Sequence, residues 1–413
     1  MPEKNTDLDA AGAATRRDIK VISLIGVAHL LSHVYQLALP ALFPIIHQVE
    51  GIGYAELGVL ASVFFVTSAI FQALAGFLVD RVGSRPVLIA GMTLIAGAAA
   101  LFAFTHSYAE LLVLSFAGGL GNSVFHPADF SILNGSVSES RIGRGLSIHG
   151  FGGFVGYAAT PFCMFSLGSV IGWRGALLVA GSAGLIVTGI IWAFRADLRD
   201  SVVDRGIKPQ SFVKDLGVLL RPSAVLAFTF FAFMAMGSIG LMTFGASTLI
   251  ALLDISADRA SMIISVQLVG SMLGILIGGV LADRYSRPDR MTAIVVTVGV
   301  AFLMLVPLLQ PQSILMLVPL FVCFGVLYGI AGPLRDMVVR SIAPSGSAGK
   351  VFGFTYSGMD FGSATSAVLF GYMLGQNLAF WVFILIGVFM MIGVCTILFA
   401  EVAARRSSIP LAA

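Results

Sequence analysis

Long apolar stretches alternate with short polar ones along almost the whole chain. Each stretch comes close to or exceeds the roughly 20 residues that an α-helix needs to cross a bilayer. A longer polar segment rich in Lys and Arg interrupts this alternation at 195–222. Six apolar stretches precede the segment and six follow it, and they occupy approximately residues 20–44, 54–80, 86–104, 108–138, 143–168, 174–194, 223–251, 257–283, 290–309, 313–341, 350–375 and 378–400. The pattern predicts twelve membrane-spanning helices in two sets of six.

The unbroken length of these stretches excludes an outer-membrane barrel, whose strands alternate between lipid-facing and lumen-facing residues. Hydrophobic residues make up 58% of the 413 residues and charged residues 11%, whereas soluble domains contain about 45–50% and about 25%. The mean hydropathy is +0.97. We therefore expect an all-α integral membrane protein surrounded by a lipid bilayer. The formal net charge of +3 is too small to indicate a nucleic-acid partner.

Positive charge is distributed very unevenly over the predicted loops. With the N-terminus inside, twenty-one of the twenty-four Lys and Arg residues lie in the tails or on loops after even-numbered spans; the exceptions are Arg174, Arg259 and Arg335. Because positive charge marks cytoplasmic loops, both termini are predicted to be cytoplasmic, in the inner (plasma) membrane of a bacterium. The predicted parts are a tail, a six-helix bundle, a basic linker, a second six-helix bundle and a second tail, at 1–19, 20–194, 195–222, 223–400 and 401–413.

A short motif occurs twice, each time at the inner end of the second span of a set. The sequence "GFLVDRVGSRP" at 76–86 recurs as "GVLADRYSRPD" at 279–289, and both contain Gly-x-Leu-x-Asp-Arg. Glycine lets helices approach closely, and the Asp and Arg can pair at the helix ends. For a single copy, a charged loop that only sets the topology would be the alternative. The predicted cytoplasmic gate consists of Gly76, Asp80, Arg81, Arg85, Gly279, Asp283 and Arg284.

A second repeat supports the division into halves. The sequence "GRGLSIHGFGGFVG" at 143–156 matches "GKVFGFTYSGMDFG" at 349–362, a displacement of 206 residues. The same displacement aligns Pro127 with Pro333, and Asp129 with Arg335. Two homologous six-helix halves account for both repeats.

The twelve spans, the basic central segment and the paired Gly-x-Leu-x-Asp-Arg motifs resemble the major facilitator superfamily over residues 20–400. "AHLLSHVYQLALPALFPII" at 28–46, together with "GNSVFHP" at 121–127, is similar to the fosmidomycin-resistance branch of drug exporters. The resemblance implies two pseudo-symmetric bundles that work by alternating access, with a cavity lined by spans 1, 4, 7 and 10. That branch has an acidic residue where this chain has His33, and another where it has Ala128.

Ionisable side chains inside a membrane are costly and are therefore functional candidates. His29 and His33 lie four residues apart in span 1, and they share one helix face. His126 and Asp129 share a face of span 4 in the same way. The predicted proton-coupling residues are Asp129, His126, His33, His29 and Asp360. The alternative for the histidines is a packed side chain bonded to a neighbouring helix, and for Asp360 it is an ordinary hydrogen-bonding role.

Arg335 occupies the position in span 10 that Asp129 occupies in span 4. A buried guanidinium needs an acidic partner or an anionic substrate, and Asp129, Asp336 and Asp360 are the available carboxylates. Asp336 can instead pair with Arg340 at the inner gate. The predicted substrate-binding side chains are Arg335, Gln36, His149, Tyr35 and Tyr356.

The sequence lacks a Walker-type phosphate loop, HExxH or Cys/His metal spacing, and a nucleophile elbow. We therefore expect no cofactor, no metal and no enzymatic activity. The predicted function is that of a monomeric secondary transporter that exports a small amphipathic or anionic molecule in exchange for protons. Proton-coupled uptake of an organic anion is the alternative, and a membrane sensor or enzyme that has kept the fold without transport is a more distant one.

Overall fold

A computed structural model describes residues 2–138, 141–199, 220–342 and 348–407, and within these ranges the chain is helical without strands. Residues 200–219 of the predicted linker and 408–413 of the predicted C-terminal tail lie outside the described residues. Two 3-10 turns, Pro40–Leu42 and Phe102–Phe104, connect helices. The helices are α1 Pro2–Ala38, α2 Phe43–Glu50, α3 Tyr54–Val82, α4 Ser84–Leu101, α5 Tyr108–Asn122, α6 Phe125–Ser136, α7 Ile142–Ala193, α8 Pro222–Leu253, α9 Ala257–Arg284, α10 Pro288–Leu309, α11 Ile314–Ile342, α12 Ala348–Gly375 and α13 Ala379–Ser407.

Ten helical segments of the described chain are long and apolar enough to cross a membrane, judged by length and composition alone. They are Thr15–Glu50, Tyr54–Gln72, Ser84–Phe104, Tyr108–Ser136, Gly145–Ala193, Pro222–Leu253, Ala257–Ala282, Pro288–Leu309, Ile314–Val338 and Ala379–Ala400. The predicted span at 350–375 coincides with α12, which is 28 residues long but does not belong to these ten. The predicted number of twelve spans stays a prediction.

One of the ten segments, in α7, contains two of the predicted spans, 143–168 and 174–194. Within this 52-residue helix the backbone of Gly172 leaves the helical conformation, at φ 77° and ψ 159°. A positive φ is unfavourable for residues with a Cβ, and glycine adopts it readily. The helix is therefore broken between the two predicted spans.

The helix is also interrupted between α5 and α6, by a turn at Ser123 and Val124. Pro127 follows in the first turn of α6. Its ring would clash with the carbonyl of Ser123 in a continuous helix, and it has no N–H to donate. The hydroxyl of Ser123 donates to the carbonyl of Leu120 at 2.7 Å. A new helix therefore begins at Phe125, two residues before the proline, and this helix carries His126 and Asp129.

The residues form two compact units. The first unit comprises Met1–Leu39, Thr67–Thr160 and Leu167–Ile207, and the second comprises Pro40–Val66, Pro161–Ser166 and Lys208–Ala413. In the first unit, Ile25 and Leu37 of α1 and Phe125 of α6 are fully buried. In the second unit the core lies around α8, where Phe230, Phe231 and Phe244 are fully buried.

Glycines bring helices of the second unit into backbone contact. A Cβ on Gly274 of α9 would lie 2.1 Å from the carbonyl oxygen of Val326 in α11. Conversely, a Cβ on Gly329 of α11 would lie 2.1 Å from the carbonyl oxygen of Ser271 in α9. Apolar burial drives helices together only weakly in lipid, and close packing of small residues takes over this role.

The two units use the same packing device at corresponding positions. In the first unit, Cβ atoms on Gly152 and Gly156 of α7 would lie 2.8 Å and 2.4 Å from the carbonyl oxygens of Gly26 and Leu30 in α1. In the second unit, Gly358 and Gly362 of α12 lie against the carbonyls of residues 228 and 232 in α8 in the same way. The glycines differ by 206 positions and the carbonyls by 202. The internal repeat is thus present in the packing of each unit as well as in the sequence.

Candidate functional site

Four histidines and one aspartate converge within the first unit. They are supplied by α1, α6 and α7, and we call them the histidine–aspartate cluster: His29, His33, His126, Asp129 and His149. The two close packing contacts between α1 and α7 bring the helices together, and α6, which begins at Phe125, presents its face with His126 and Asp129. The structure thus brings together four of the five predicted proton-coupling residues and one predicted substrate-binding residue, His149.

Asp129 is the most enclosed member of the cluster. It is 0% exposed, and His29 and His149 are 3% and 4% exposed. His149 Nε2 lies 3.1 Å from Asp129 Oδ2, a hydrogen bond in which the imidazole N–H donates when the carboxyl is ionised. His29 Nδ1 lies 3.5 Å from the same oxygen. A carboxylate buried this deeply is tolerated only when it is paired or protonated, so its state depends on these two imidazoles.

His29 lies at the centre of the cluster. Its ring is stacked on that of His149, with centroids 3.6 Å apart and an interplanar angle of 20°. The rings of His33 and His126 lie 4.5 Å and 5.3 Å from it. Two charged imidazoles at these distances would repel each other strongly. The geometry therefore favours few protons shared among several rings.

A glycine in α7 makes room for these rings. A Cβ on Gly153 would lie 2.8 Å from His33 Cε1 and 3.0 Å from His29 Nε2. Real Cβ atoms do not approach other atoms this closely, so a larger residue would displace the imidazoles. Gly153 therefore contributes to the site because its lack of a side chain leaves room for the rings of His29 and His33.

A chain of amide and hydroxyl groups continues from the cluster. The ring of Tyr157 lies 4.1 Å from that of His33, and its hydroxyl donates to Gln36 Oε1. Gln36 Nε2 lies 3.4 Å from Asn122 Oδ1, and Asn122 Nδ2 donates to the hydroxyl of Ser68 at 2.9 Å. Gln36 was predicted from the sequence, whereas Tyr157, Asn122 and Ser68 were not. Asn122 lies within the stretch "GNSVFHP" at 121–127, but an uncharged amide was not singled out there as a functional residue.

A different group forms around Arg335 in the second unit. Arg335 Nε lies 3.5 Å from Asp336 Oδ1, and the hydroxyl of Tyr356 donates to the same oxygen at 2.9 Å. The guanidinium lies over the ring of Phe231, with Cζ 4.9 Å from the centroid. Of the three carboxylates expected as partners of Arg335, Asp336 is the one in contact with it among the described residues of this unit. The side chain of Arg340, the alternative partner of Asp336, lies outside the described residues.

Two further predicted residues have other surroundings. The hydroxyl of Tyr35 donates to the carbonyl of Ala180 at 2.9 Å, and its ring occupies the space beside Gly184. These contacts pack α1 against the second part of α7 and do not involve the cluster. Asp360 is half-buried on α12 between the two tightly packed glycines Gly358 and Gly362. Substrate binding by Tyr35 and proton coupling by Asp360 stay predictions.

The motifs predicted to form a gate lie at the ends of α3 and α9. The helix α3 ends at Val82, and α9 ends at Arg284, whose side chain is exposed. Arg85 Nη1 donates to the carbonyl of Arg195 at 3.0 Å. Gly279 has open space where a Cβ would be. The side chains of Asp80, Arg81 and Asp283, and the surroundings of Gly76, lie outside the described residues, so the gate stays a prediction.

A polar group near the middle of α1 is not predicted by the sequence pattern. Asp18 accepts hydrogen bonds from the hydroxyl of Ser138 and from Arg141 Nη1, the latter at 2.9 Å. Nearby, Lys20 forms an ion pair with Asp197 and lies over the ring of Phe194. These residues join the middle of α1 to the residues just before α7 and to the segment just after it. Their sequence separations exceed one hundred residues, so no local pattern could have shown the pairing.

Comparisons with known proteins agree with this architecture. The sequence profile described as Major Facilitator Superfamily matches residues 25–253 and 232–413. The chain is 24% identical to the fosmidomycin resistance protein of Escherichia coli (strain K12) over 299 residues, which cover 70% of this chain and 71% of that protein. It is also 24% identical over 285 residues to YfnC of Bacillus subtilis (strain 168), an uncharacterized MFS-type transporter, and the match covers 65% of this chain and 66% of YfnC.

A solved structure has the same fold. It is that of a bacterial homologue of the human lysosomal transporter Spinster, with a TM-score of 0.74 and 16% sequence identity. The superposition covers 94% of this chain and 96% of the other. The predicted fold class is therefore confirmed, and the relatives are transporters rather than enzymes. From its helical fold and from the match along nearly its whole length, we conclude that this chain is a multi-pass membrane transporter that belongs to the Major Facilitator Superfamily.

Proposed function

We propose that the protein exports a small amphipathic or anionic molecule in exchange for protons, by alternating access. The observation that carries this proposal is the contact of the fully buried Asp129 with His29 and His149. Imidazoles take up and release protons near neutral pH, and an ionised carboxylate in this position needs them as partners. Binding or release of one proton therefore changes the charge of the cluster, which is what coupling to a proton gradient requires.

The resemblance to the fosmidomycin resistance protein supports efflux and supplies a first test compound. Purified protein is reconstituted into liposomes that contain a pH-sensitive dye, and fosmidomycin is added first, followed by a panel of amphipathic drugs and organic anions. In antiport, an imposed substrate gradient moves protons in the direction opposite to the substrate. The direction of the dye response therefore separates antiport from symport.

The variant Asp129→Asn keeps the size of the side chain and removes its charge. We expect proton movement to be lost while the protein stays folded. Asp254→Asn is the matched control, because Asp254 is an exposed residue at the end of α8 with φ 52°, a conformation that Asn adopts readily. Full proton-coupled transport by Asp129→Asn would refute the proposed coupling residue.

Uptake of an organic anion together with protons is the second candidate, and Arg335 favours it. A guanidinium is permanently charged, and the Nε of Arg335 faces Asp336 Oδ1 at 3.5 Å, which is too long for a well-formed hydrogen bond. A carboxylate of a substrate can therefore compete with Asp336 for this donor. In this case Arg335→Met should reduce the uptake of lactate or gluconate by about tenfold or more, the equivalent of one charge-assisted hydrogen bond. Unchanged uptake would leave efflux as the only candidate.

We further propose that both termini are cytoplasmic, that the protein lies in a bacterial inner membrane, and that it works as a monomer. The distribution of Lys and Arg along the chain supports the orientation. Fusion of the C-terminus to a fluorescent protein that folds only in the cytoplasm tests it, since a fluorescent product is expected. Activity of a periplasmic reporter at the same site would contradict the orientation.

A further inference from the structure

Three members of the histidine–aspartate cluster form a set of metal-ligand type. His29, Asp129 and His149 each offer one ligand atom, and these atoms lie within 4.8 Å of one another. All three side chains are buried. We propose that these three residues, the His–Asp–His triad, bind one divalent transition-metal cation, for which Zn²⁺ is the reference ion.

The distances from the Asp129 carboxylate oxygen to the two imidazole nitrogens are close to those around a single ion. Zinc lies about 2.0–2.2 Å from imidazole nitrogen and carboxylate oxygen, so two ligands at a tetrahedral angle are about 3.3–3.5 Å apart. Asp129 Oδ2 is 3.1 Å from His149 Nε2 and 3.5 Å from His29 Nδ1. The His29–Asp129 pair lies in this range, and the His149–Asp129 pair is short of it by a few tenths of an ångström. The imidazole rings of His29 and His149 are stacked, with centroids 3.6 Å apart, so at least one ring must rotate for both nitrogens to point at the same ion.

Unpartnered polar atoms within the triad provide a second observation. His29 Nδ1 and Asp129 Oδ1 are buried without a hydrogen-bond partner among the described residues. A buried polar atom without a partner costs about 1–3 kcal/mol, and its position therefore needs an explanation. A cation between His29 and Asp129 would satisfy the nitrogen directly, and it would favour the ionised carboxylate.

The ligand types indicate the class of cation. Two imidazoles and one carboxylate suit zinc and its neighbours among the transition metals, whereas calcium and magnesium prefer oxygen ligands alone. Three protein ligands leave a fourth position of a tetrahedral site open. A water molecule or an anionic group of a substrate can occupy this position.

The inference goes beyond the proposed function and is tested apart from it. Zinc needs deprotonated ligands, so its binding displaces protons from the same residues that we propose for coupling. Zinc binding is measured on purified protein without any transport. A failure of zinc binding would leave proton coupling intact, and a failure of coupling would leave the metal site intact.

The experiment uses the full chain, purified in detergent without a histidine tag, and Zn²⁺ alone as the probe. The background variant His47→Ala/His106→Ala removes the two histidines outside the cluster, both of which are exposed. In this background we expect one saturable site by calorimetry. Zinc-edge X-ray absorption should show a first shell of nitrogen and oxygen at about 2.0–2.2 Å that includes imidazole.

Asp129→Asn and His149→Ala, each made in the same background, should lower the zinc affinity by more than about 100-fold, because loss of a second-shell partner alone costs about 10- to 100-fold. X-ray absorption on the background variant keeps the test decisive if a triad variant fails to fold, since it needs no change in the triad. Absence of saturable binding in the background variant would overturn the proposal. So would binding that Asp129→Asn and His149→Ala leave unchanged while both variants remain folded.

Discussion

The two units hold different chemistry on a repeated scaffold. In the first unit, α7 packs through Gly152 and Gly156 on α1, and in the second unit α12 packs through Gly358 and Gly362 on α8. At three positions that the repeat aligns, the first unit holds His29, Asp129 and His149. The corresponding positions of the second unit hold Phe231, Arg335 and Thr355.

The contacts between corresponding residues persist although their chemistry differs. His29 contacts the carboxylate of Asp129, and Phe231 contacts the guanidinium of Arg335 through its ring face. An imidazole–carboxylate pair can exchange a proton, whereas arginine stays charged and a phenyl ring offers only its π-face. The repeated fold therefore determines which positions come into contact. The residue types at these positions then decide whether the group can exchange a proton, as in the first unit, or stays permanently charged, as in the second.

Replacing His29 of the first unit by phenylalanine, the residue at the corresponding position 231 of the second unit, should have the largest effect. We expect His29→Phe to lower proton-coupled transport by about 100-fold or more, since proton transfer by a positioned side chain contributes about 10²–10⁴-fold and a phenyl ring cannot take up a proton. The dye assay in liposomes measures this loss. The control His47→Phe makes the same exchange at an exposed histidine and should transport normally. Coupled transport by His29→Phe would show that the cluster does not need this imidazole.

The next largest effect should come from enlarging corresponding glycines at the helix contacts, and it should be equal in the two units. Gly156→Ala and Gly362→Ala place a methyl group 2.4 Å and 2.1 Å from carbonyl oxygens of the facing helices. We expect each to destabilise the protein by about 1–3 kcal/mol through overpacking, measured as a lower melting temperature in detergent.

Gly150→Ala is the matched control on α7, because a Cβ there meets nothing within 4 Å. It should instead raise stability by about 0.5–1 kcal/mol, as alanine in place of glycine does in a helix. A large effect of Gly156→Ala combined with none of Gly362→Ala would contradict the equivalence of the scaffolds.

Loss of single hydroxyl groups should have the smallest effect and should still distinguish the units. Tyr157→Phe removes the bond to Gln36, and Tyr356→Phe removes the bond to Asp336. Tyr157 is buried, whereas the side chain of Asp336 is 41% exposed. We therefore expect about 1 kcal/mol for Tyr157→Phe and less for Tyr356→Phe, measured by thermal unfolding. The reverse order would show that the polar chain beyond the cluster contributes little.

The sequence predicts the fold class well because helices in lipid must be long and continuously apolar. It also predicts His29, His33, His126 and Asp129, because an ionisable residue in an apolar run stands out by itself. The expectation of no metal rested on ligand spacing along the sequence and stays a prediction. The His–Asp–His triad that we propose as a metal site could not be seen in this way, because His29, Asp129 and His149 lie on three different helices. Spacing along one helix reveals only local ligand sets, and the triad exists only once α1, α6 and α7 are packed.

The same limit applies to uncharged groups. Gly153 creates the space for two imidazoles, but a glycine in a membrane helix is too common to mark a site. Tyr157 and Asn122 join the polar chain through contacts between helices, and neither residue type signals this in an apolar sequence. Such roles become visible only from the distances in the folded chain.

The break before Pro127 gives the two units different mechanical properties. Asp129 lies on a helix of 12 residues, less than two turns after the interruption at Ser123 and Val124. Arg335 lies on a helix of 29 residues that continues through Pro333 without a break. A short helix that follows a two-residue interruption bends more easily than a continuous helix, because fewer main-chain hydrogen bonds must stretch. We therefore expect the segment that carries Asp129 to open more readily than the one that carries Arg335, so that amide hydrogen exchange is faster at 123–126 than at 329–332.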